Sequence, residues 1–532
     1  MPEVHAAPPL QPEMPPTRWG DPAQAGPLPQ DVRELVGLAF PLTDSPPPAG
    51  GDLPPTALSA ALLDGLRGIV GEEHVVLDDA TRRLRTRGKS TPDLLKQRTG
   101  DLSDAPDVVA RPGDHDEVAA VLAFAGQHRI AVVPFGGGTS VVGGLVAQRE
   151  GFAGVVSLDL GRMRRLLAVD PVSSTATLEP GLRGPEAEAL LAEHGLMLGH
   201  LPQSFEFASI GGFAATRSSG QSSAGYGRFD AMVVGLRVAT PVGDVRLGSA
   251  PLDASGPDLR QLFLGSEGAF GVITEVTVRV RPLPEVKRYE GWHWPSFEAG
   301  ADAMRRLAQA DLLPTVLRLS DEAETAINLA RPDAIGAETA PGGCLMVVGY
   351  EGTESAVGRK QAAVTEALTE YGGAPLGPEP GEAWAAGRFS APYLRDSLLD
   401  VGVLVETLET TTFWSNRDRL YRAVRAALEE TLGEGTMVLC HISHVYPTGC
   451  ALYFTAVSSA GPDPLTRWAP AKAAANDAIV ASGASITHHH AVGTDHRGWL
   501  APEIGEVGVA VLRAVKRELD PAGILNPGVM IP

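Results

Sequence analysis

The sequence predicts an α+β protein with one domain of mixed strands and helices in its first half and a second α+β domain in its second half. Three observations lead there. The 532 residues are too many for one core, because single hydrophobic cores stop growing at about 250–300 residues. From Asp107 onwards, short β-branched runs (DVVARP, IAVVPF, GVVSLDL, TATLEP) alternate with Ala-rich helical stretches such as DHDEVAAVLAFAGQH, the texture of mixed strands and helices. After a proline break near 282–284 the alternation resumes with new strand-like runs, TVLRLS, CLMVVGY and ALYFTAV.

Fifteen of the 44 prolines fall in the first 60 residues. Residues 1–56 therefore read as a largely extended arm, since proline supplies no backbone donor and breaks helices. Residues 57–103 read as a charged helical segment ending in RTRGKSTPDLLKQRTGD. The first folded domain is placed at 104–283 and the second at 284–470. Residues 471–532 form a C-terminal helical segment that carries an HHH cluster back towards the first domain.

A net charge of −20 argues against nucleic acid as a partner, because phosphate binding needs a basic surface. Cys344, Cys440 and Cys450 are too few and too scattered for a disulfide framework and suit a reducing compartment. No apolar run approaches about 18 residues, the N-terminus lacks an apolar secretory stretch, and the terminal GVMIP is not a peroxisomal tripeptide. The expected location is the cytoplasm.

The chemistry first shows in three glycine-rich segments. PFGGGTSVVGG (134–144) follows the strand-like IAVV. Consecutive glycines let backbone N–H groups converge on a pyrophosphate with no Cβ in the way, and Thr139 and Ser140 add hydroxyl donors. A G-x-G-x-x-G dinucleotide loop is excluded, because Val141 stands at the last position. QSFEFASIGGFAATRSSGQSSAGYG (203–227) is rich in small residues, as packing against a flat ring system requires. LGSEGAFGVITEV (264–276) runs from a glycine-rich turn into a strand.

In that order, P-x-G-G-G-T-S, E-F-x-S-x-G-G-x-x-x-T-R-x-S-G and G-S-E-G-x-x-G-V-I-T resemble the FAD-binding (PCMH-type) domain of the vanillyl-alcohol-oxidase superfamily over about residues 105–283. The resemblance implies an FAD-binding domain in two subdomains, followed by an α+β substrate domain with an antiparallel sheet, and FAD held by Pro134, Phe135, Gly136, Gly137, Gly138, Thr139 and Ser140. It extends the contact to Gln203, Ser204, Phe205, Glu206, Phe207, Ala208 and Ser209, to Thr216, Arg217, Ser218 and Ser219, and to Glu267, Gly268, Ala269, Phe270, Gly271, Val272 and Ile273. Relatives that bind flavin covalently often use a histidine or cysteine near the first loop. Residues 134–144 contain neither, so non-covalent FAD is expected.

PYLRD (392–396), VETLETTTFW (405–414), CHISHVYPTGCALYF (440–454) and ITHHHAVG (486–493) narrow the match: they are similar to the alkyldihydroxyacetonephosphate synthase family. That family exchanges the acyl group of acyl-dihydroxyacetone phosphate for a fatty alcohol in ether-lipid synthesis, without net redox. The resemblance implies a small-molecule or lipid-like substrate, peripheral contact with a membrane surface and a homodimer. It implies substrate-binding roles for Arg395 and Arg318 and catalytic roles for Tyr453, His488, His489, His490, His200, Arg318 and Thr407, the last in place of a family serine. The chemistry agrees: guanidinium forks bind phosphate bidentately, and proton transfer beside a carbonyl needs a base, for which a phenol requires help from nearby cations or histidines.

Each residue also has a plain reading. Either arginine could be a surface charge, and Tyr453 a core tyrosine in an alternating strand. If the triplet lies on a strand, at most two of its histidines face the flavin, because side chains alternate. Convergence of His441, His444 and the triplet on zinc or iron is a weaker alternative, since no carboxylate or cysteine sits beside them at ligand spacing, and no metal is expected. After the triplet, Thr494 and Asp495 stand where the family has basic residues.

The competing function is an FAD-linked oxidase or dehydrogenase of a 2-hydroxy acid of the D-lactate or glycolate type. HISHVYPTG lacks the H-x-G-D-G-N-type segment of those relatives, and HHHAVG stands where they show glutamate before histidine. A non-catalytic flavin protein would need a degraded cluster, and a serine hydrolase would need a G-x-S-x-G elbow, which the chain lacks.

Overall fold

The computed structural model describes residues 5–6, 12–44, 51–146, 148–329 and 342–532. The first β-branched runs become β1 (Val108–Ala110), β2 (Ala131–Phe135) and β3 (Val155–Asp159), with β1 and β2 each parallel to β3. The crossover helix, His115–His128, starts where the Asp114 carboxylate accepts the Glu117 N–H, and it buries Val118, Val121, Leu122 and Ala125 at helical spacing. The first glycine loop therefore leaves the carboxyl end of a parallel strand, where open α/β sheets bind ligands.

A second, antiparallel sheet contains β4 (Arg165–Asp170), β5 (Thr175–Leu178), β6 (Val233–Thr240), β7 (Gly243–Leu247) and β8 (Val272–Arg279) in the order β4-β5-β8-β6-β7. The other two glycine-rich segments attach to it: one leads into β6 and the other into β8.

The C-terminal half is a seven-stranded antiparallel sheet. Its strands are β9 (Val286–Trp294), β10 (Val316–Ser320), β11 (Cys344–Gly352), β12 (Ala374–Gly377), β13 (Val403–Phe413), β14 (Met437–Val445) and β15 (Gly449–Ser459). They are arranged β12-β9-β11-β10-β14-β15-β13. Strand alternation sorts the last three cleanly. Leu404, Leu408, Cys440, Ile442, Leu452 and Phe454 join the core. Val405, Thr407, His441, Ser443, Tyr453 and Thr455 face the opposite way, into a cavity.

Three local expectations change. The N-terminal arm is not simply extended: Gln30–Ala39 is a helix, because QDVRELVGLA is free of proline and follows Pro29, a residue suited to a helix start. The charged segment before residue 103 is helical in three pieces, Ala60–Val70, Asp79–Leu84 and Thr91–Arg98, and its charges turn inward. Arg82, Arg85, Arg87, Lys89 and Arg98 are all buried, their charges met by carboxylates or carbonyls such as Asp159 for Arg85 and Pro106 for Arg82. The HHH triplet lies in a bend, not a strand.

Candidate active site

The glycine-rich segments and the cavity face of the seven-stranded sheet enclose a cavity of about 390 Å³. Of the residues read as cofactor-binding, Pro134–Ser140, Gln203, Ser204, Ala208, Ser209, Thr216, Ser218, Ser219, Glu267, Gly268, Gly271, Val272 and Ile273 line it. Phe205, Glu206, Phe207, Arg217, Ala269 and Phe270 lie outside that lining and support it instead. Phe207 packs with Met14 and Trp19, Phe205 stacks on Phe389, and the Arg217 guanidinium donates to the Leu264 and Gln261 carbonyls.

Close approach of backbone to backbone shapes the first loop. A Cβ at Gly137 would collide with the Phe207 carbonyl oxygen, so only glycine lets the first segment press on the second. The chain's last residues lock the far side: Asn526 Nδ2 donates to the Gly144 and Glu267 carbonyls at 2.9 and 2.7 Å. The Glu267 carboxylate accepts the Val492 and Gly493 N–H groups, and burial pushes it up to about 7.

Sequence reasoning missed one cation of the lining. Lys89 lines the cavity, its ammonium donating to the Pro15 and Pro16 carbonyls and moved down by burial to about 7. Trp19 lines the cavity beside it. FAD fits this lining: a glycine loop for the pyrophosphate, small residues for the ring system, and the buried polar atoms Gln203 Nε2 and Gln221 Oε1 left without partners among the described residues.

At the other end, register assembles the second cluster. Glu409, Tyr453 and His441 stand side by side across β13, β15 and β14. The Tyr453 ring stacks on His441 at 4.7 Å between centroids. Burial pushes its phenol up to about 12, only partly offset by a hydrogen bond with Thr407. Arg318, on β10, is already engaged, donating to Glu324 Oε1 at 2.6 Å and contacting His441 Nδ1 at 3.0 Å. Burial pushes Glu324 upward, but His441 and Arg318 outweigh it and hold the acid at about 2. Arg395 is freer. It donates to the Lys89 carbonyl at 2.6 Å and to Asp396 at 3.0 Å, while its Nη2, 2.9 Å from Asp396, makes no aligned hydrogen bond.

His489 and His490 line the cavity; His488 lies behind them and His200 behind the ring side. His200 packs edge-on against Phe213, with Nε2 on the Ser218 hydroxyl at 3.1 Å. Burial moves His200 and His490 down to about 3 and lowers His489, so these imidazoles are neutral. The triplet splits two to one not through strand alternation but because its bend wraps the Glu409 carboxylate, which takes all three backbone N–H groups. Carboxylates thus do reach the histidines, from distant sequence: Glu409 to the triplet and Glu324 to His441. His444, His488 and His489 each place a ring nitrogen within 4.8 Å of the others. His488 Nδ1 and His489 Nδ1 meet each other, His444 Nδ1 meets the Ser219 and Ser223 hydroxyls, and His488 Nε2 meets the Tyr446 hydroxyl.

Two family models match, "FAD binding domain" over residues 106–248 and "FAD linked oxidases, C-terminal domain" over 283–530. The alkyldihydroxyacetonephosphate synthase of Trypanosoma brucei brucei is 35 % identical over 505 residues, 90 % of this chain and 82 % of that protein. This chain belongs to the alkyldihydroxyacetonephosphate synthase family. The synthase of Dictyostelium discoideum is 33 % identical over 86 % of this chain and 78 % of its own. A solved alkyldihydroxyacetonephosphate synthase structure superposes with a TM-score of 0.84 at 29 % identity, covering 97 % of this chain and 98 % of the other. The 2-hydroxy-acid class is a more distant match. The chain is thus an FAD enzyme of PCMH-type fold, and no described helix is long and apolar enough to cross a membrane.

With neither histidine nor cysteine in the first loop, all flavin should appear in the supernatant after acid precipitation. Flavin retained in the washed pellet would overturn non-covalent binding.

Proposed function

We propose that this enzyme exchanges the acyl group of an acyl-dihydroxyacetone phosphate for a long-chain alcohol, without net redox. The observation that carries the reading is Arg395, a guanidinium in the cavity lining with donor capacity left over, close enough to Tyr453 for its charge to be felt there. A cation beside a proton-transfer group, on the substrate side of a flavin cavity, suits a phosphorylated ketone. Bound FAD would supply an electron-accepting ring. Arg395 holds the phosphate, and Tyr453 carries the proton beside the carbonyl. His489 and His490 stand next to its ring as neutral proton acceptors. Arg318, neutralised by Glu324, serves by holding His441 under the tyrosine.

Anaerobic palmitoyl-dihydroxyacetone phosphate should bleach the visible flavin band, and a fatty alcohol should restore it with ether product formed. No response to that lipid, with bleaching by D-lactate and recovery in oxygen, would make this an oxidase instead.

Arg395→Ala is expected to raise the KM for the acyl substrate about 10- to 100-fold, the worth of one charge-assisted hydrogen bond at about 1.5–3 kcal/mol. Asp396 keeps the Trp19 N–H as a partner at 2.5 Å, so the fold should survive. An unchanged KM in steady-state assays would remove Arg395 from the phosphate site.

A further inference from the structure

Glu409 lies within VETLETTTFW but has no role in the sequence reading, yet more of the catalytic end converges on it than on any other carboxylate described above. It sits on β13, 1 % exposed. Its Oε1 accepts the His489 N–H at 3.1 Å, the His490 N–H at 2.9 Å and the Thr487 hydroxyl at 2.5 Å; its Oε2 accepts the His488 N–H at 2.7 Å. Three consecutive backbone donors on one side chain fix the path of the bend, and with it the direction of each imidazole.

The same carboxylate bears on a proton. His489 Nδ1 lies 3.5 Å from Glu409 Oε2 and 3.0 Å from His488 Nδ1. An anion at that distance favours hydrogen on Nδ1. His489 Nδ1–H then donates to His488 Nδ1, and His488 Nε2–H donates to the Tyr446 oxygen, 2.6 Å away. Of the four ring nitrogens of His488 and His489, His489 Nε2 alone has no partner among the described residues, and it keeps its lone pair for the cavity that His489 lines.

We propose that Glu409 is a positioning residue that clamps the His488–His490 bend and sets the His489 tautomer so that Nε2 faces the cavity as a proton acceptor. This rests on the transferase reading for its purpose, though not for its geometry. The other groups facing Glu409 do not supply a substitute anion. Tyr453 on β15 and Tyr446 are neutral phenols, pushed up by burial to about 12. Arg228, Lys472 of helix Pro464–Ala481, and His496 are cationic or neutral neighbours, and Glu406 on the same strand is engaged by the Thr91 and Thr407 N–H groups.

The test uses full-length holoenzyme with ¹⁵N-labelled histidine, comparing wild type, Glu409→Gln and Glu409→Asp. Imidazole nitrogen shifts report which nitrogen carries hydrogen, and His489→Gln assigns the signal. The wild type and Glu409→Asp, which keeps the charge, should show His489 as the Nδ1–H form; Glu409→Gln should lose it. In Glu409→Gln, kcat should fall about 100-fold, the cost of roughly 1 Å of misplacement, with KM and flavin content within twofold of wild type.

An unchanged His489 tautomer in Glu409→Gln, or kcat within threefold of wild type, overturns the proposal. If Glu409→Gln does not accumulate folded, Glu409→Asp decides alone: its shortened side chain should keep the tautomer and lose about tenfold in kcat through looser positioning, and wild-type kcat overturns the clamp. If the wild type forms no ether lipid, the transferase reading fails, while the tautomer comparison still decides the role of Glu409.

Discussion

Tyr453→Phe is expected to lower turnover by roughly 10²–10⁴-fold, the usual contribution of a positioned acid–base group, while flavin content stays at the wild-type level. The substitution removes one oxygen and leaves the ring. The stack on His441 and the place in β15 between core-facing Leu452 and Phe454 are kept, so little packing is lost. The missing hydrogen bond to Thr407 costs stability of only about 1 kcal/mol. Burial holds the phenol up at about 12, so the resting enzyme carries a neutral Tyr453. It becomes a base only when a neighbouring acceptor takes its proton and a cation stabilises the phenolate left behind; His489 and His490 are placed for the first role and Arg395 for the second. Single-turnover and steady-state assays with the flavin spectrum recorded alongside check this. Turnover within tenfold of wild type would leave Tyr453 as a core residue only.

Gly137→Ala is expected to reduce bound FAD below about a tenth of the wild-type content, or to abolish soluble protein. The reason is backbone against backbone: the added methyl meets the Phe207 carbonyl and the Ala208 Cα, and neither can rotate aside as a side-chain tip can. Overpacking of a rigid contact typically costs about 1–3 kcal/mol, and here the displaced atoms shape the cofactor cradle itself. Gly126 is the control, lying in the last turn of helix His115–His128 with no neighbouring atom within 4 Å of an added Cβ; Gly126→Ala should be neutral or stabilising by up to about 1 kcal/mol. Flavin absorbance per polypeptide and melting temperature decide the comparison, and normal flavin in Gly137→Ala would refute it.

The cofactor half was legible because its chemistry is written in glycine. PFGGGTSVVGG and IGGFAAT report close backbone approach locally, and the β-branched runs around them are strands within one or two residues of where alternation placed them. The substrate half was legible as residue types but not as an arrangement. VETLETTTF names a motif without saying where its glutamates go, and Glu406 and Glu409 are both buried, because cavity and helices cover both faces of β13. The histidine bend looked like a strand since nothing local says that a carboxylate about 80 positions earlier will gather its N–H groups. Lys89 and Trp19 were invisible for the opposite reason. A charged stretch and a proline-rich arm carry no periodicity, and only tertiary partners make them interior.

The arm has a consequence for the order of events during synthesis. The Trp19 N–H is bound by Asp396, 377 positions later, and the Pro15 and Pro16 carbonyls rest on Lys89 at the cavity rim. A stretch made 377 positions before its partner therefore finds its place only once helix Ala391–Leu399 has formed. Until then the flavin cradle lacks the wall that Trp19 supplies.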